Sequence, residues 1–315
     1  MNKIIRVLVV DDSAYVRKII REILSKNPFI EVVGTANDGL EALEMVQALK
    51  PDIITLDLIM PRMDGISFLK EQMAKDPVPV LVVSIASESG ELAFKALDEG
   101  AVDFIQKPTA LATEKIFEIS DLLIEKVKAV AGVPKGRVPI PEKEFSPSPL
   151  PVVAKEVKNR VDIVVLGIST GGPQALKFLI PILPKDFPVP LAMVLHMPVG
   201  YTDLYAKKLD ELSLMNVVEA SSGLELSPGL ALLAPAGKHL SFFREPDGRV
   251  FTRLDTRPLD TPHRPSVDVL FRSAAEVFKD RVLGVVMTGM GNDGLQGAAW
   301  IKAQGGRILT EAEET

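Results

Sequence analysis

Apolar and polar positions along this chain come in blocks whose period switches back and forth. Ile4 to Val10, Ile30 to Thr35, Asp52 to Leu56, Val80 to Val83 and Val102 to Ile105 are short runs of mainly β-branched and apolar residues, the pattern of strands buried on both faces. Between them apolar residues recur at helical spacing over Ala14 to Ser25, Gly39 to Leu49, from about Gly65, near Glu88 to Glu99 and from about Thr113. Five strand–helix units in strict alternation predict a parallel sheet with helices on both faces. Gly132 to Val153 breaks the pattern with closely spaced prolines and predicts a semi-extended connector. A passive spacer and a segment packed between domains both fit it. Strand signals resume at Ile163 to Leu166 and Val189 to Leu195, with helices after Gly171-Gly-Pro173 and over Tyr201 to Leu212. Short strands are expected over 216–257, including a hairpin that places Leu240 to Phe243 against Arg249 to Thr252 across Pro246-Asp-Gly248. A Ser-capped helix over Ser266 to Phe278, a strand over Arg281 to Met287 and a helix opened by Asp293 complete the pattern. The expectation is an α/β chain of two domains, 1–130 and 161–315, joined by a Pro-rich linker over 131–160.

A length of 315 residues exceeds what one core usually holds, in agreement with two domains. No apolar run approaches the ~18–20 residues of a membrane span, and Asp11 and Asp12 interrupt what would be the apolar part of a signal peptide. A cytoplasmic protein without membrane insertion is expected. The absence of cysteine excludes disulfides, a thiol nucleophile and thiolate metal sites. With a formal net charge of −6 and neither half basic, a nucleic-acid partner is not expected.

Chemistry concentrates where the predicted strands end. In the first domain Asp11, Asp12, Asp57, Ser84 and Lys107 all fall at the carboxyl ends of strands, the edge where parallel sheets bind ligands. Each acid alone would be an ordinary helix cap or solvated loop residue. Together, three crowded carboxylates repel unless a hard cation such as Mg²⁺ sits among them. Asp57 can then accept a phosphoryl group, with the Lys107 ammonium and the Ser84 hydroxyl on its oxygens. The set Val-Val-Asp11-Asp12-Ser, Leu-Asp57-Leu-Ile-Met-Pro61 with Asp64-Gly65, Ser84 and Lys107-Pro108 resembles a two-component receiver domain over about 1–125. The resemblance implies a flavodoxin-like five-stranded parallel fold and phosphorylation of Asp57. It also implies Mg²⁺ held by Asp11, Asp12, Asp57 and the carbonyl of Ile59, a switch through Ser84, Phe104 and Lys107, and a cis Lys107–Pro108 bond.

In the second domain Gly167-Ile-Ser169-Thr-Gly171 fits a nucleophile elbow, a tight turn that exposes a serine above the sheet. His196 ends the next strand and Asp293 follows the last. Singly, a capping serine, a structural histidine and a capping aspartate are the blander readings. Jointly, three residues ending three strands on one edge form a triad in which Ser169 attacks an acyl carbon, His196 carries its proton and Asp293 holds the imidazole. The order Ser, His, Asp differs from that of α/β-hydrolases. His239, beside the hairpin, and His263, in a Pro-rich loop, are expected at the surface.

Gly-Ile-Ser169-Thr-Gly-Gly-Pro, Leu-His196-Met-Pro, Pro235-Ala-Gly-Lys-His239, Pro265-Ser-Val-Asp268 and Thr-Gly-Met290-Gly-Asn-Asp293-Gly, behind a receiver, resemble the chemotaxis response regulator protein-glutamate methylesterases. The resemblance implies a doubly wound esterase domain without a cofactor, hydrolysis of glutamate γ-methyl esters on methyl-accepting chemotaxis receptors, glutamine deamidation, and oxyanion support from Thr170 and Met290. It implies a chemotaxis histidine kinase as phosphoryl donor, an unphosphorylated receiver that obstructs the active site, and a monomer. The family usually runs on past Gly306 to Thr315 through a further strand and helix, so a shortened carboxyl end is expected. A second domain that only binds a partner is the competing reading, and an intact Ser, His and Asp set argues against it.

Overall fold

The computed structural model describes residues 3–85, 90–108, 119–133, 161–289 and 291–311. They form two compact units, divided within the 134–160 segment. From 134 onward the expected linker lies outside the described residues, as do the expected helix starts near Glu88 and Thr113.

In the first unit β1 (Ile5–Val10), β2 (Ile30–Ala36), β3 (Ile53–Leu56), β4 (Val80–Ile85) and β5 (Asp103–Lys107) alternate with α1 (Ala14–Ser25), α2 (Gly39–Leu49), α3 (Gly65–Lys75), α4 (Gly90–Asp98) and α5 (Ser120–Ala131). The strands pair in the order β2-β1-β3-β4-β5, all parallel. The apolar runs read from the sequence are those strands, and β3 is buried along its whole length because helices cover both faces. Val16, Ile19, Ile20 and Ile23 of α1 and Leu123, Val127 and Val130 of α5 share one core cluster with β1, while α2, α3 and α4 neighbour one another. Polar residues start the helices: Ser13, Asp38 and Asp64 accept amide hydrogens at the N-termini of α1, α2 and α3. The Lys107–Pro108 bond is not cis. The two cis bonds among the described residues are Arg257–Pro258 and Arg264–Pro265, and an X–Pro bond without a specific constraint keeps its modest trans preference.

The second unit is built on a six-stranded sheet. Its elements in chain order are β6 (Ile163–Ile168), α6 (Gly172–Leu179), β7 (Leu191–Leu195), α7 (Thr202–Leu212), β8 (Asn216–Glu219), β9 (Leu230–Leu233), β10 (His239–Arg244), β11 (Val250–Asp255), α8 (Val267–Phe278), β12 (Val282–Val286), α9 (Leu295–Ala303) and β13 (Arg307–Thr310). The main sheet runs β13-β12-β6-β7-β9-β8, all parallel, and β10 with β11 forms the expected antiparallel hairpin. Residues 216–257 thus do more than form short strands with turns. Two of the strands, β8 and β9, extend the main sheet, a pairing that local periodicity cannot report.

From β6 the chain builds one side of the sheet through β7, β8 and β9, then returns to its other side with β12. That reversal beside β6 is a topological switch point, where loops diverge and leave a crevice at the strand ends. Helix α8 lies directly over β6 there. A Cβ built on Gly167 would stand 2.3 Å from Cγ1 and 2.8 Å from Cγ2 of Val267, so glycine is what lets the start of α8 touch the strand. We expect Gly167→Ala to destabilise the second unit by roughly 1–3 kcal/mol, the range for overpacking a filled site. Trp300, the chain's single tryptophan, lies in that unit, and its fluorescence during urea unfolding reads the effect; an unchanged midpoint would refute the close packing.

Candidate active site

Three loops bring the triad together. Ser169 follows the last residue of β6, and the chain turns at Gly171, whose φ of 77° is left-handed, before entering α6. Gly172 meets the next strand closely, with Leu195 Cδ1 2.5 Å from where its Cβ would lie. The Ser169 amide donates to the Thr288 carbonyl at 2.9 Å, and the Thr288 hydroxyl donates to the Thr170 carbonyl at 2.9 Å. The elbow is therefore stitched to the loop after β12. Gly289 belongs to that loop, and a Cβ on it would lie 2.7 Å from Ser169 Cβ.

His196 Nε2 lies 2.8 Å from Asp293 Oδ2, and Nδ1 lies 3.2 Å from Ser169 Oγ. A carboxylate can only accept, so Nε2 carries the proton and the Nδ1 lone pair faces the serine hydroxyl. The ring is thereby poised as a general base toward Ser169. Asp293 does not open α9 with its own side chain, as the sequence suggested; Gly294 caps that helix. Its carboxylate instead sits on the N-terminus of α8. Oδ1 accepts from the Ser266 hydroxyl at 2.7 Å and the Asp268 amide at 3.0 Å, and Oδ2 from the Val267 amide at 2.8 Å as well as from His196. Burial alone would raise its pKa. The donors, His196 foremost, outweigh burial and hold it at about 2, with the helix N-terminus favouring the charge as well.

Two histidines contradict their expected surface places. The His263 ring stacks on the His196 ring, with centroids 4.1 Å apart and planes inclined by 23°. His239 is only 1% exposed. Its Nδ1 accepts from the Ser266 amide at 3.2 Å, so Nε2 is protonated and donates to the Pro258 carbonyl at 3.0 Å. Burial, helped by the Arg264 charge, keeps its pKa below the usual histidine value. The signal missed in the sequence is proximity to Ser266. His263 lies three residues before that cap, on the loop leading into the helix whose amides hold Asp293.

In the first unit the strand-end residues also converge. Asp11, Asp12 and Asp57 each place a carboxylate oxygen within 4.8 Å of the others. Lys107 Nζ donates to Asp11 Oδ2 at 2.6 Å and to Asp57 Oδ2 at 2.5 Å, and Ser84 Oγ donates to Asp57 Oδ1 at 3.0 Å. Burial, with the Asp57 charge adding to it against Lys107, raises the Asp11 pKa to about 6. One ammonium does not compensate three acids. An oxygen-only donor set carrying surplus negative charge fits a hard divalent cation. Phe104 is buried and meets Phe94 edge to face, centroids 6.2 Å apart. Ile59 is exposed. Thr170 is buried beside Ser169, and Met290 lies outside the described residues.

The depressed Asp293 pKa has a definite sign. Stabilisation from a carboxylate with a lowered folded-state pKa is present above its ordinary value of 3.8 and is lost as pH falls through about 2. Asp293→Asn should therefore cost the second unit about 2 kcal/mol at neutral pH, a deficit that shrinks between pH 4 and pH 2. Urea unfolding of both forms across that window, followed by Trp300 emission, checks it; a pH-independent difference would refute the ionised, fully bonded carboxylate.

The CheB methylesterase family profile matches residues 164–315, and that of the response regulator receiver domain matches residues 7–118. A protein-glutamate methylesterase/protein-glutamine glutaminase of Myxococcus xanthus is 49% identical over 313 residues, covering 99% of this chain and 88% of the relative. Proteins of that name from Thermotoga maritima and Geobacillus kaustophilus are 41% and 42% identical over 315 residues, covering 90% of each relative and 100% and 99% of this chain. With a receiver-like sheet, an esterase-type triad and this identity along nearly its full length, the chain belongs to the protein-glutamate methylesterase/protein-glutamine glutaminase family, carboxylic ester hydrolases that carry a response regulator receiver domain.

Proposed function

We propose that this protein removes methyl groups from glutamate side chains of chemotaxis receptors, deamidates receptor glutamines at the same site, and is switched by phosphorylation of its receiver. The observation that carries the proposal is the unbroken line of bonds from Ser169 through His196 to Asp293, ending on the N-terminus of α8.

The chemistry follows from that line. Ser169 Oγ attacks the γ-carbonyl carbon as its proton passes to His196 Nδ1, and the Asp293 carboxylate stabilises the resulting imidazolium. Thr170 and Met290 are the expected supports for the oxyanion. Collapse of the tetrahedral intermediate breaks the bond to the methoxy oxygen, which takes the proton from Nδ1 and leaves as methanol. Water, deprotonated by the same nitrogen, then attacks the acyl-enzyme and releases the glutamate carboxylate and Ser169. With a glutamine the leaving group is ammonia.

In the receiver, Asp57 is the phosphoryl acceptor. One of its carboxylate oxygens forms the new P–O bond as the P–N bond of a phosphohistidine on the partner kinase breaks. Lys107 and Ser84, already bonded to Asp57, stay with the transferred group and neutralise or bond its oxygens. Asp11, Asp12 and Asp57, with the Ile59 carbonyl, would hold Mg²⁺, which when bound supplies positive charge to the phosphoryl oxygens. Ser84 and Phe104 lie where rearrangement about Asp57 can pass to the β4 and β5 side of the sheet.

The test is methanol release from methylated receptor, with and without a small phosphoryl donor and Mg²⁺. Ser169→Ala should abolish release, and Asp57→Asn should retain basal release while losing stimulation by the donor. Release that survives Ser169→Ala would overturn the serine mechanism, and full stimulation of Asp57→Asn would overturn the switch.

A further inference from the structure

The segment that presents Asp293 is rich in glycine. It runs from Thr288 to Gly294 with three glycines, and Gly291 and Gly294 sit at φ of 110° and 102°. Glycine in such conformations carries a large entropic penalty for being held still. Yet Asp293 must keep its carboxylate on His196, and a misplacement of about 1 Å at a catalytic group can cost on the order of 10²-fold in rate. Helix α9, which follows the loop, cannot anchor it through its own cap. Gly294 has no side chain, and no side-chain cap bond is made from that position.

The missing cap comes from the other helix. Asp268, in the first turn of α8, accepts on Oδ1 from the Gly294 amide at 3.0 Å and from the Gly297 amide at 2.6 Å. These are the cap and third-position amides of α9, groups that the N3 and N-cap side chains of a capping box satisfy from within the same helix. Asp293, in the residue before α9's cap, does the same for α8. The two helix N-termini thus face each other: Asp268 supplies the acceptor that α9 lacks, and Asp293 adds to the Ser266 cap that α8 already has. The Gly294 amide is moreover part of the peptide unit joined to Asp293, so Asp268 grips the backbone at the triad residue itself.

Close approach of the helices makes the exchange of caps feasible. A Cβ on Gly297 would lie 2.5 Å from Phe271 Cβ and 3.0 Å from Asp268 Cα. Farther along, the Arg272 guanidinium of α8 lies 4.9 Å from the centre of the Trp300 ring of α9. The arrangement brings two acids together. Burial first, and the Asp293 charge as well, push the Asp268 pKa up while its amide donors pull it down.

We propose that Asp268 is a positioning residue for catalysis: by accepting the Gly294 and Gly297 amides it fixes the Asp293 carboxylate against His196 without touching the reacting atoms. The inference deepens the esterase reading and rests on it for its kinetic consequence. The bond geometry it describes is measurable without substrate.

Three variants of the full chain test it. Asp268→Ala removes the acceptor, Asp268→Asn keeps an acceptor oxygen without the charge, and Gly297→Ala pushes the helices apart while leaving Asp268 in place. Two readouts are taken on each. One is the downfield proton NMR signal of the His196 Nε2–H bonded to Asp293, and the other is the rate at which a small phosphonofluoridate modifies Ser169. Trp300 emission confirms that each form is folded, and methanol release supplies kcat and KM. Asp268→Ala and Gly297→Ala should lose the downfield signal and slow modification about 10²-fold, with kcat falling and KM little changed. Asp268→Asn should restore most of both. An Asp268→Ala protein that keeps the signal and the modification rate overturns the proposal. So does an Asp268→Asn protein as impaired as the alanine form, because the charge rather than the grip would then matter. If the parent releases no methanol, the esterase reading fails, while the NMR signal and Ser169 modification still decide whether Asp268 positions the triad.

Discussion

A buried carboxylate must be surrounded by donors or give up its charge, and the second unit is arranged around meeting that demand at Asp293. Its four donors come from two places: the imidazole at the end of β7, and the Ser266, Val267 and Asp268 positions that start α8. The start of α8 can reach the site only because Gly167 lets Val267 rest on β6. The imidazole can reach it only because β7 lies beside β6 in parallel, with Leu195 opposite Ile168. Removing either neighbour would leave the carboxylate buried with too few partners. The catalytic geometry and the packing of the sheet are therefore one constraint.

The same demand explains what the sequence revealed and what it concealed. Strands β1 to β5 and β6, β7 and β12 each centre on a short, mainly apolar run, and parallel alternation fixes which of their ends share an edge. Asp11, Asp57, Ser84, Lys107, Ser169 and His196 could be grouped because each stands at such an end, whereas Asp293 lies seven residues beyond the end of β12. Fold and site geometry were written in the same signal. His239 and the use made of Asp268 were not legible because each acts at the start of α8, and His263 was not because its ring stacks on His196, a contact the sequence does not show. The N-terminus of α8 is brought to the site by a tertiary contact between Val267 and Gly167. A histidine in a proline-rich loop or beside a hairpin looks like surface until the helix that follows is placed. Asp293 itself was assigned to the helix after it, since an aspartate ahead of α9 has the spacing of a cap; only the crossing of α8 and α9 shows that its acceptor oxygens serve the other helix. The placement of β8 and β9 in the main sheet was hidden for a related reason. A four-residue strand carries too little periodicity to name its neighbour.

The two acidic sites solve opposite problems with the same residue type. Under the proposed function Asp293 has to remain a carboxylate while an imidazole beside it gains and loses a proton. Three of its donors are the backbone amides and hydroxyl that start α8, the fourth is the imidazole itself, and its pKa sits at about 2. Asp57 has to react. It lies beside Asp11, whose pKa is raised to about 6, and the two share a single ammonium from Lys107. Asp57 is well supplied with donors too, Oδ1 accepting from the Leu58 amide and the Ser84 hydroxyl and Oδ2 from Lys107, so what sets it apart is the crowding of the Asp11 and Asp12 carboxylates beside it. Under-compensation in the first unit leaves negative charge for a cation to balance, and so couples the acceptor's readiness to what is bound beside it. Burial supplies the cost in both places. In this reading the charge gathered around each acid, rather than the number of its donors, separates a fixed support from a group held ready to change.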